Sequence, residues 1–301
     1  MRATVYPAHG CLISQLRPVE SGTNLLWSRP DAPLDDLPRT VVPGPAYEEF
    51  DDTVFAGGWF AMFPLAGIPG VGDTDISMHG EIPRIAWDVT AISPSAVTCE
   101  TRTSSGWHVE RTTTLDGSAL TVVTHARNES DRAREVTWGE HPCLDRAAFA
   151  GGRLDASVVR AFITPEMSEP DAARYLAGRD FEWPLAQCTA GGVEDVTGIP
   201  LDADGRHDHV CAVLDAPRLS VTAPRLGGRL VVKVDLASTP NLLFWQHYRP
   251  AASPWHGDVF GIEMCSAPGR TLDDARAAGA VACVESGGSV SWSMGLEWVA
   301  D

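Results

Sequence analysis

Apolar and polar residues alternate with a period of two along most of the chain, which predicts strands rather than helices. "WHVERTTTLDGSALTVVTHARNESD" reads as two β-rich runs meeting at Asp116-Gly117, a dipeptide that tight hairpin turns favour because they need positive φ. "NESD" then supplies a second turn. "RLSVTAP" and "GGRLVVKVDLAS" pair around Gly227-Gly228, with Val231, Val232 and Val234 as core candidates. "NLLFWQHY", "DVFGIEMCS" and the closing "GSVSWSMGLEWVA" are further strands. Helical signals are short. "TLDDARAAGA" offers Thr271 as N-cap, Asp274 at the capping-box position and Gly279 as a stop. "PDAARYLAGR" is a second short helix ending near Gly178. Neither a βαβ series, a P-loop nor a GxGxxG fingerprint occurs, which excludes a doubly wound nucleotide-binding fold. The pattern predicts one all-β domain over 1–301, a large antiparallel β-structure with a few connector helices.

Composition agrees with a folded globular chain: 44% apolar and 21% charged over 301 residues, enough to bury a large core. The net charge of −17 leaves no basic surface for nucleic acid and disfavours an anionic membrane surface. A neutral small molecule is the easier ligand. The opening "MRATVYPAHGCLISQL" is interrupted by Pro7, His9 and Gly10 before any apolar run reaches signal-peptide length. Seven cysteines stand singly, without a CxxC pair, the usage of a reduced cytoplasmic protein without structural zinc.

Four segments carry groups able to do acid–base chemistry. They are His79 in "SMHGEIPRIAW", with Arg84 close behind, His141 in "WGEHPCLD", the triplet His207-Asp208-His209 in "DGRHDHV", and Glu263 in "FGIEMCSAPG". Each sits at a strand end or turn, where a rigid sheet presents it to a cleft. A carboxylate between Ile262 and Met264 is costly unless it is paired or functional. Tryptophans 27, 59, 87, 245 and 255 fall near these or other loop-like segments, and aromatic faces beside carboxylate and imidazole suit a sugar. His207 and His209, two apart on a strand, point the same way, so they form a metal-chelating alternative with His79 or Glu263. His108 and His125 lie inside strands and read as structural.

Taken in order, these pieces resemble the aldose 1-epimerase (galactose mutarotase-like) family: "GTNLLW", "GGWFAMFPLAG" with "MHGEIPRIAW", "WGEHPCLD", "HDHV", "GIEMCSAP" and "SWSMGLEWV". The resemblance implies a large β-sandwich of two extended antiparallel sheets, and no metal or organic cofactor. It implies Glu263 as general base, His141 as general acid and His79 as their assistant at the ring oxygen or anomeric centre. Asp208 and Arg84 would bind the sugar, with Trp59 and Trp245 as aromatic partners. The chemistry is interconversion of the α and β anomers of a free aldose. An ionised carboxylate and a protonated imidazole on opposite sides of the sugar, held apart in pKa by mutual attraction, would move the two protons. "GGWFAMFPLAG" is closer to the branch acting on hexose 6-phosphates, although Ala56 stands where that branch carries arginine and Met264 where it carries proline. A hexose-6-phosphate 1-epimerase and a non-catalytic sugar-binding protein are therefore the alternatives. Monomer and homodimer are both compatible with the sequence.

Overall fold

The alternating segments become strands in the computed structural model, which describes residues 1–30, 34, 50, 54–73, 75–166, 169–253 and 257–301. In chain order they are β1 (Arg2–Tyr6), β2 (Leu12–Arg17), β3 (Trp59–Met62), β4 (Asp88–Ile92), β5 (Ala96–Arg102) and β6 (Trp107–Asp116). There follow β7 (Ala119–Asn128), β8 (Arg134–Val136), β9 (Gly139–Asp145), β10 (Leu154–Ile163), β11 (Asp180–Phe181), β12 (Leu185–Gln187) and β13 (Val193–Asp195). The chain ends with β14 (His207–Ala223), β15 (Gly228–Val234), β16 (Asn241–Tyr248), β17 (Asp258–Cys265), β18 (Ala282–Val284) and β19 (Ser289–Ala300). Among the described residues one antiparallel sheet runs β1-β2-β3-β9-β17-β16-β14-β15-β19-β7-β6-β5-β4, with β10 and β11 branching from β14.

This sheet closes over itself. Ile13 and Leu16 of β2 and Phe260 and Ile262 of β17 share one core with Leu120 and Val122 of β7 and Leu296 of β19. Strands from the two halves of the path therefore face each other as the layers of a β-sandwich, as the family resemblance implies. The Asp116-Gly117 hairpin forms, with Asp116 paired to Ala119 and Gly117 at φ 57. Val232 and Val234 are buried, whereas Val231 is half-buried on the other face of β15, since neighbours on a strand point opposite ways. No helix of the described residues is long and apolar enough to cross a membrane.

Helix Leu272–Ala277 has the expected reciprocal cap between Thr271 and Asp274. The helix expected over "PDAARYLAGR" does not form. A single 3₁₀ turn at Pro170–Ala172 gives way to extended backbone. The Asp208 carboxylate accepts the N–H groups of Arg174 (3.0 Å) and Tyr175 (3.1 Å), and it holds the segment open where a helix would have used those donors internally.

One buried charge ties the layers together. Glu140 of β9, fully inaccessible, accepts two bonds from Arg111 of β6 (2.6 and 2.8 Å). It also accepts the indole N–H of Trp59 on β3 (2.7 Å) and of Trp292 on β19 (2.8 Å). Burying a charge this deeply is tolerable only with its lone pairs filled. Removing one member should therefore cost far more than an ordinary surface change. Arg111→Met is expected to lower unfolding free energy by about 3–5 kcal/mol, read from urea denaturation. The double variant Arg111→Met/Glu140→Gln should lose less than the sum of the two single losses, because it no longer leaves an unpaired charge.

Candidate active site

His141 is the next residue along β9 after Glu140 and points to the opposite face. On the neighbouring strand, the pairs Gly261↔Cys143 and Met264↔Glu140 set the register that places Glu263 across from His141. The result is a contact of 3.3 Å between His141 Nε2 and Glu263 Oε1, both side chains almost wholly inaccessible. Gly261 makes the approach possible: an added Cβ would lie 3.1 Å from His141 Cε1 and 3.3 Å from Glu263 Oε1.

The two groups lie together on the wall of one cavity. Its floor is the shared face of four adjacent strands: His141 on β9, Glu263 on β17, Leu243, Trp245 and His247 on β16, and His207 and His209 on β14. Phe50, Phe55, Gly67, Met78, His79 and Arg270 complete the wall. The alternation that brings Leu243, Trp245 and His247 to one side also turns His207 and His209 inward.

His79 comes from a loop and carries backbone strain. Its φ is 59 and that of Gly80 is 75, and a Cβ at Gly80 would lie 2.1 Å from the Phe63 carbonyl oxygen. A non-glycine residue in the left-handed region costs roughly 1–3 kcal/mol and persists where the surroundings fix it. Here the N–H of His79 donates to Gly67 O at 2.8 Å. Its ring meets His141 edge-on with centroids 5.5 Å apart, and Phe50 at 4.9 Å. The Nδ1 atom of His79 has no hydrogen-bond partner among the described residues. Phe60 stacks on His141 with centroids 4.7 Å apart, and Trp245 stands edge-on to it at 5.7 Å.

Burial controls the charges. It pushes the Glu263 carboxyl up to about 8, opposed by the positive charge of Arg270. It pushes His141 down to about 3 and lowers His79 well below the usual imidazole value, with His141, Arg270 and Arg84 adding to the effect. His207, His209 and His247 are lowered by burial as well. Burial thus disfavours the expected carboxylate–imidazolium pair. It favours the neutral form of each group, the carboxyl on Glu263 and the imidazole on His141. The two groups also stand side by side rather than across a sugar from each other.

The structure brings together Glu263, His141, His79 and Trp245 and separates them from three other expected site residues. Asp208 faces away from the cavity between its two inward neighbours. It binds the backbone of 174–175, and burial raises its carboxyl to about 6. Trp59 is buried on the far face of β3, bonded to Glu140. Arg84 lies behind the cavity wall, its guanidinium 5.2 Å from the Phe50 ring centroid. Trp255 lies outside the described residues. In their place stand Arg270, Phe50 and Phe55, which no motif marks, and His209 of the His-Asp-His triplet. His209 alone had a sequence signal, its i, i+2 spacing from His207.

A metal centre on His207 and His209 is not what these atoms form. Among the described residues the donor trio within 4.8 Å is Glu169, His207 and His247. His207 Nε2 accepts the Trp245 indole N–H at 3.0 Å, which puts the ring proton on Nδ1, facing Glu169 Oε1 at 3.4 Å. That imidazole is a link in a hydrogen-bond chain and offers a metal no lone pair without breaking it.

No protein-family model and no curated protein sequence matches the chain. Solved structures do. A putative aldose 1-epimerase from Escherichia coli K12 superposes with a TM-score of 0.68 at 15% identity, covering 100% of both chains. A galactose mutarotase related enzyme from Lactobacillus acidophilus gives 0.67 at 12% identity over 99% of this chain and 95% of that one. A galactose mutarotase-like protein from Clostridium acetobutylicum gives 0.67 at 14% identity over 99% and 92%. The chain has the galactose mutarotase-like β-sandwich fold.

Proposed function

We propose that this protein is an aldose 1-epimerase that interconverts the anomers of an unphosphorylated aldose without a cofactor. The observation that carries the reading is the buried His141–Glu263 contact of 3.3 Å on a cavity floored by Trp245. The two atoms that exchange protons in mutarotation, the C1 hydroxyl oxygen and the ring oxygen, are bonded to the same carbon. Acid and base must therefore stand close together, as these two do. One removes the C1 hydroxyl proton while the other protonates the ring oxygen. The ring opens to the aldehyde, the C1–C2 bond rotates, and closure on the other face reverses both transfers. The requirement is that the pair hold one proton in total. His79 is suited to hydrogen-bond the ring oxygen or an adjacent hydroxyl, and the Trp245 ring to stack on sugar C–H groups.

The alternatives fare less well. A sugar-binding protein without activity has no need for a carboxyl and an imidazole in contact. A hexose-6-phosphate epimerase calls for a cluster of cations at one end of the site, and among the described residues lining the cavity Arg270 stands without a second arginine or any lysine.

Relaxation of freshly dissolved α-glucose, α-galactose and α-xylose toward equilibrium, followed by polarimetry or NMR, tests the reading. Wild-type protein should accelerate at least one of them, and Glu263→Gln and His141→Asn should each lose about 10²–10⁴ in rate. No acceleration of any sugar would overturn it. The proton count gives the pH profile. Below about 3 both groups are protonated and no acceptor remains, and above about 8 both are deprotonated and no donor remains. Activity should thus hold through pH 5–7 and fall roughly tenfold per unit above pH 8.

Stability provides a second check. The folded-state value of Glu263, about 8, exceeds its ordinary 4.5. Between these limits the folded chain binds more protons than the unfolded one, so this residue's contribution to stability is lost as pH rises through the window. Glu263→Gln cannot ionise. Its melting temperature relative to wild type should rise on going from pH 5 to pH 9, measured by calorimetry.

A further inference from the structure

Glu169 has no part in moving protons and does not line the cavity, yet it meets a residue that does. Its Oε1 lies 3.4 Å from Nδ1 of His207. The other nitrogen of that ring, Nε2, accepts the indole N–H of Trp245 at 3.0 Å. The backbone brings Glu169 there. β10 ends at Ile163, and the segment after it stays attached to β14 at two points. The Thr164 N–H donates to His209 O at 3.1 Å, and Asp208 takes the N–H groups of Arg174 and Tyr175. His207 and Asp208 are neighbours on β14 and face opposite ways. One stretch of chain therefore meets Asp208 on the outer face and His207 on the cavity side.

The indole dictates the state of His207. A tryptophan N–H only donates, so Nε2 has to present its lone pair. A neutral imidazole carries one ring proton, which then sits on Nδ1, facing Glu169. The other tautomer would set the ring N–H against the indole N–H and break that bond. A carboxylate beside Nδ1 favours a proton there and repels a lone pair. It favours the imidazolium as well, whose Nε2–H would break the bond in the same way. Burial, the largest effect, holds His207 below the usual imidazole value against the pull of Glu169, and Arg270 adds to the lowering. The rings packed on His207, His209 at 4.9 Å and His247 at 4.7 Å between centroids, are buried imidazoles lowered in the same direction. Glu169 thus selects the tautomer without charging the ring.

What depends on this is the aromatic face offered to a ligand. β16 fixes the Cα of Trp245 and the side from which it projects, but not the rotation of the indole about its own bonds. The bond to His207 supplies that, along a diagonal of the ladder in which Trp245 pairs with His209 and His247 with His207. The same rotation sets Trp245 edge-on to His141, with centroids 5.7 Å apart. We infer that Glu169 is a positioning residue: by selecting the Nδ1–H tautomer of His207, it holds the Trp245 ring at the angle at which the cavity floor receives a sugar. This rests on the epimerase reading for what Trp245 touches, while the tautomer itself stands apart from that reading.

The test follows tautomer and turnover in wild type, Glu169→Ala and Glu169→Gln, with resonances assigned from His207→Asn and Trp245→Phe. Long-range proton–nitrogen NMR spectra should show wild-type His207 protonated on Nδ1, a result that needs no folded variant of Glu169. Glu169→Ala should populate the Nε2–H form and move the Trp245 indole proton upfield as its bond weakens. Glu169→Gln, with an amide carbonyl to accept the Nδ1 proton, should keep the wild-type pattern. KM for the fastest of the three aldoses should rise about fivefold in Glu169→Ala, the effect of one lost hydrogen bond, with kcat nearly unchanged, and Glu169→Gln should restore it. Wild-type His207 protonated on Nε2, unchanged His207 and Trp245 resonances in Glu169→Ala, or an unchanged KM would each overturn the role and leave the epimerase reading intact. If no sugar is epimerised, that reading falls and the spectra decide this one. A shifted tautomer in folded Glu169→Ala then upholds the hold on Trp245, and an unchanged one overturns it.

Discussion

The structure depends on a carboxylate that never meets water. Glu140 draws Arg111, Trp59 and Trp292 to one point, and these come from strands on both halves of the folded sheet. Because successive side chains on a strand face opposite ways, fixing Glu140 toward the interior of the sandwich fixes His141 toward the cavity. The same peptide unit that clamps the layers therefore aims the imidazole. The clamp forces a precise register between β9 and β17, since Met264 pairs with Glu140, and that register sets Glu263 opposite His141. A one-residue slip of β9 would turn His141 into the core and Glu140 toward the cavity. The ion pair is thus better understood as a device for placement than as a source of net stability, because such pairs contribute little beyond offsetting their own desolvation.

Much of this was legible in the sequence, and the reasons it was or was not are physical. Period-two patterning carried the strands and the Asp-Gly hairpin, because each is enforced locally, whereas the sandwich came from the family resemblance. The helix expected at "PDAARYLAGR" failed because Asp208, more than thirty residues away in sequence, claims the backbone donors of Arg174 and Tyr175. The same misreading removed Asp208 from the site. A motif places a residue along the chain, but only the register decides which face of a strand it occupies, and His207 and His209 took the inner one. Trp59 illustrates this again: its neighbour Phe60 stacks on His141, while Trp59 faces Glu140. Arg270 was invisible because it lies in a loop, where no periodicity distinguishes a wall residue from a solvated one.

The protonation state was also beyond reach of the sequence, for a different reason. Attraction between Glu263 and His141 favours the ion pair, whereas desolvation favours the neutral pair, and the two effects have opposite signs. Identity and spacing give the first; only the depth of burial gives the second. In this cavity burial dominates, lowering all five wall imidazoles together and raising the carboxyl.

That balance suits the proposed reaction. Ring opening moves one proton off the pair and one onto it, converting one of its tautomers, carboxyl with imidazole or carboxylate with imidazolium, into the other. Ring closure converts it back. The two anomers lie close in energy, so neither direction can be favoured at the expense of the other, and the groups must donate and accept with comparable ease. A pair strongly locked as carboxylate and imidazolium by solvent-exposed charge would be slow to return the proton in one half of the cycle. Burial disfavours the separated charges and the 3.3 Å contact opposes that preference, so carboxyl with imidazole is the resting tautomer, Glu263 enters ring opening as the proton donor, and ring closure restores it. The desolvation that looks like a penalty on Glu263 is, on this reading, what lets one pair of residues serve both halves of the cycle.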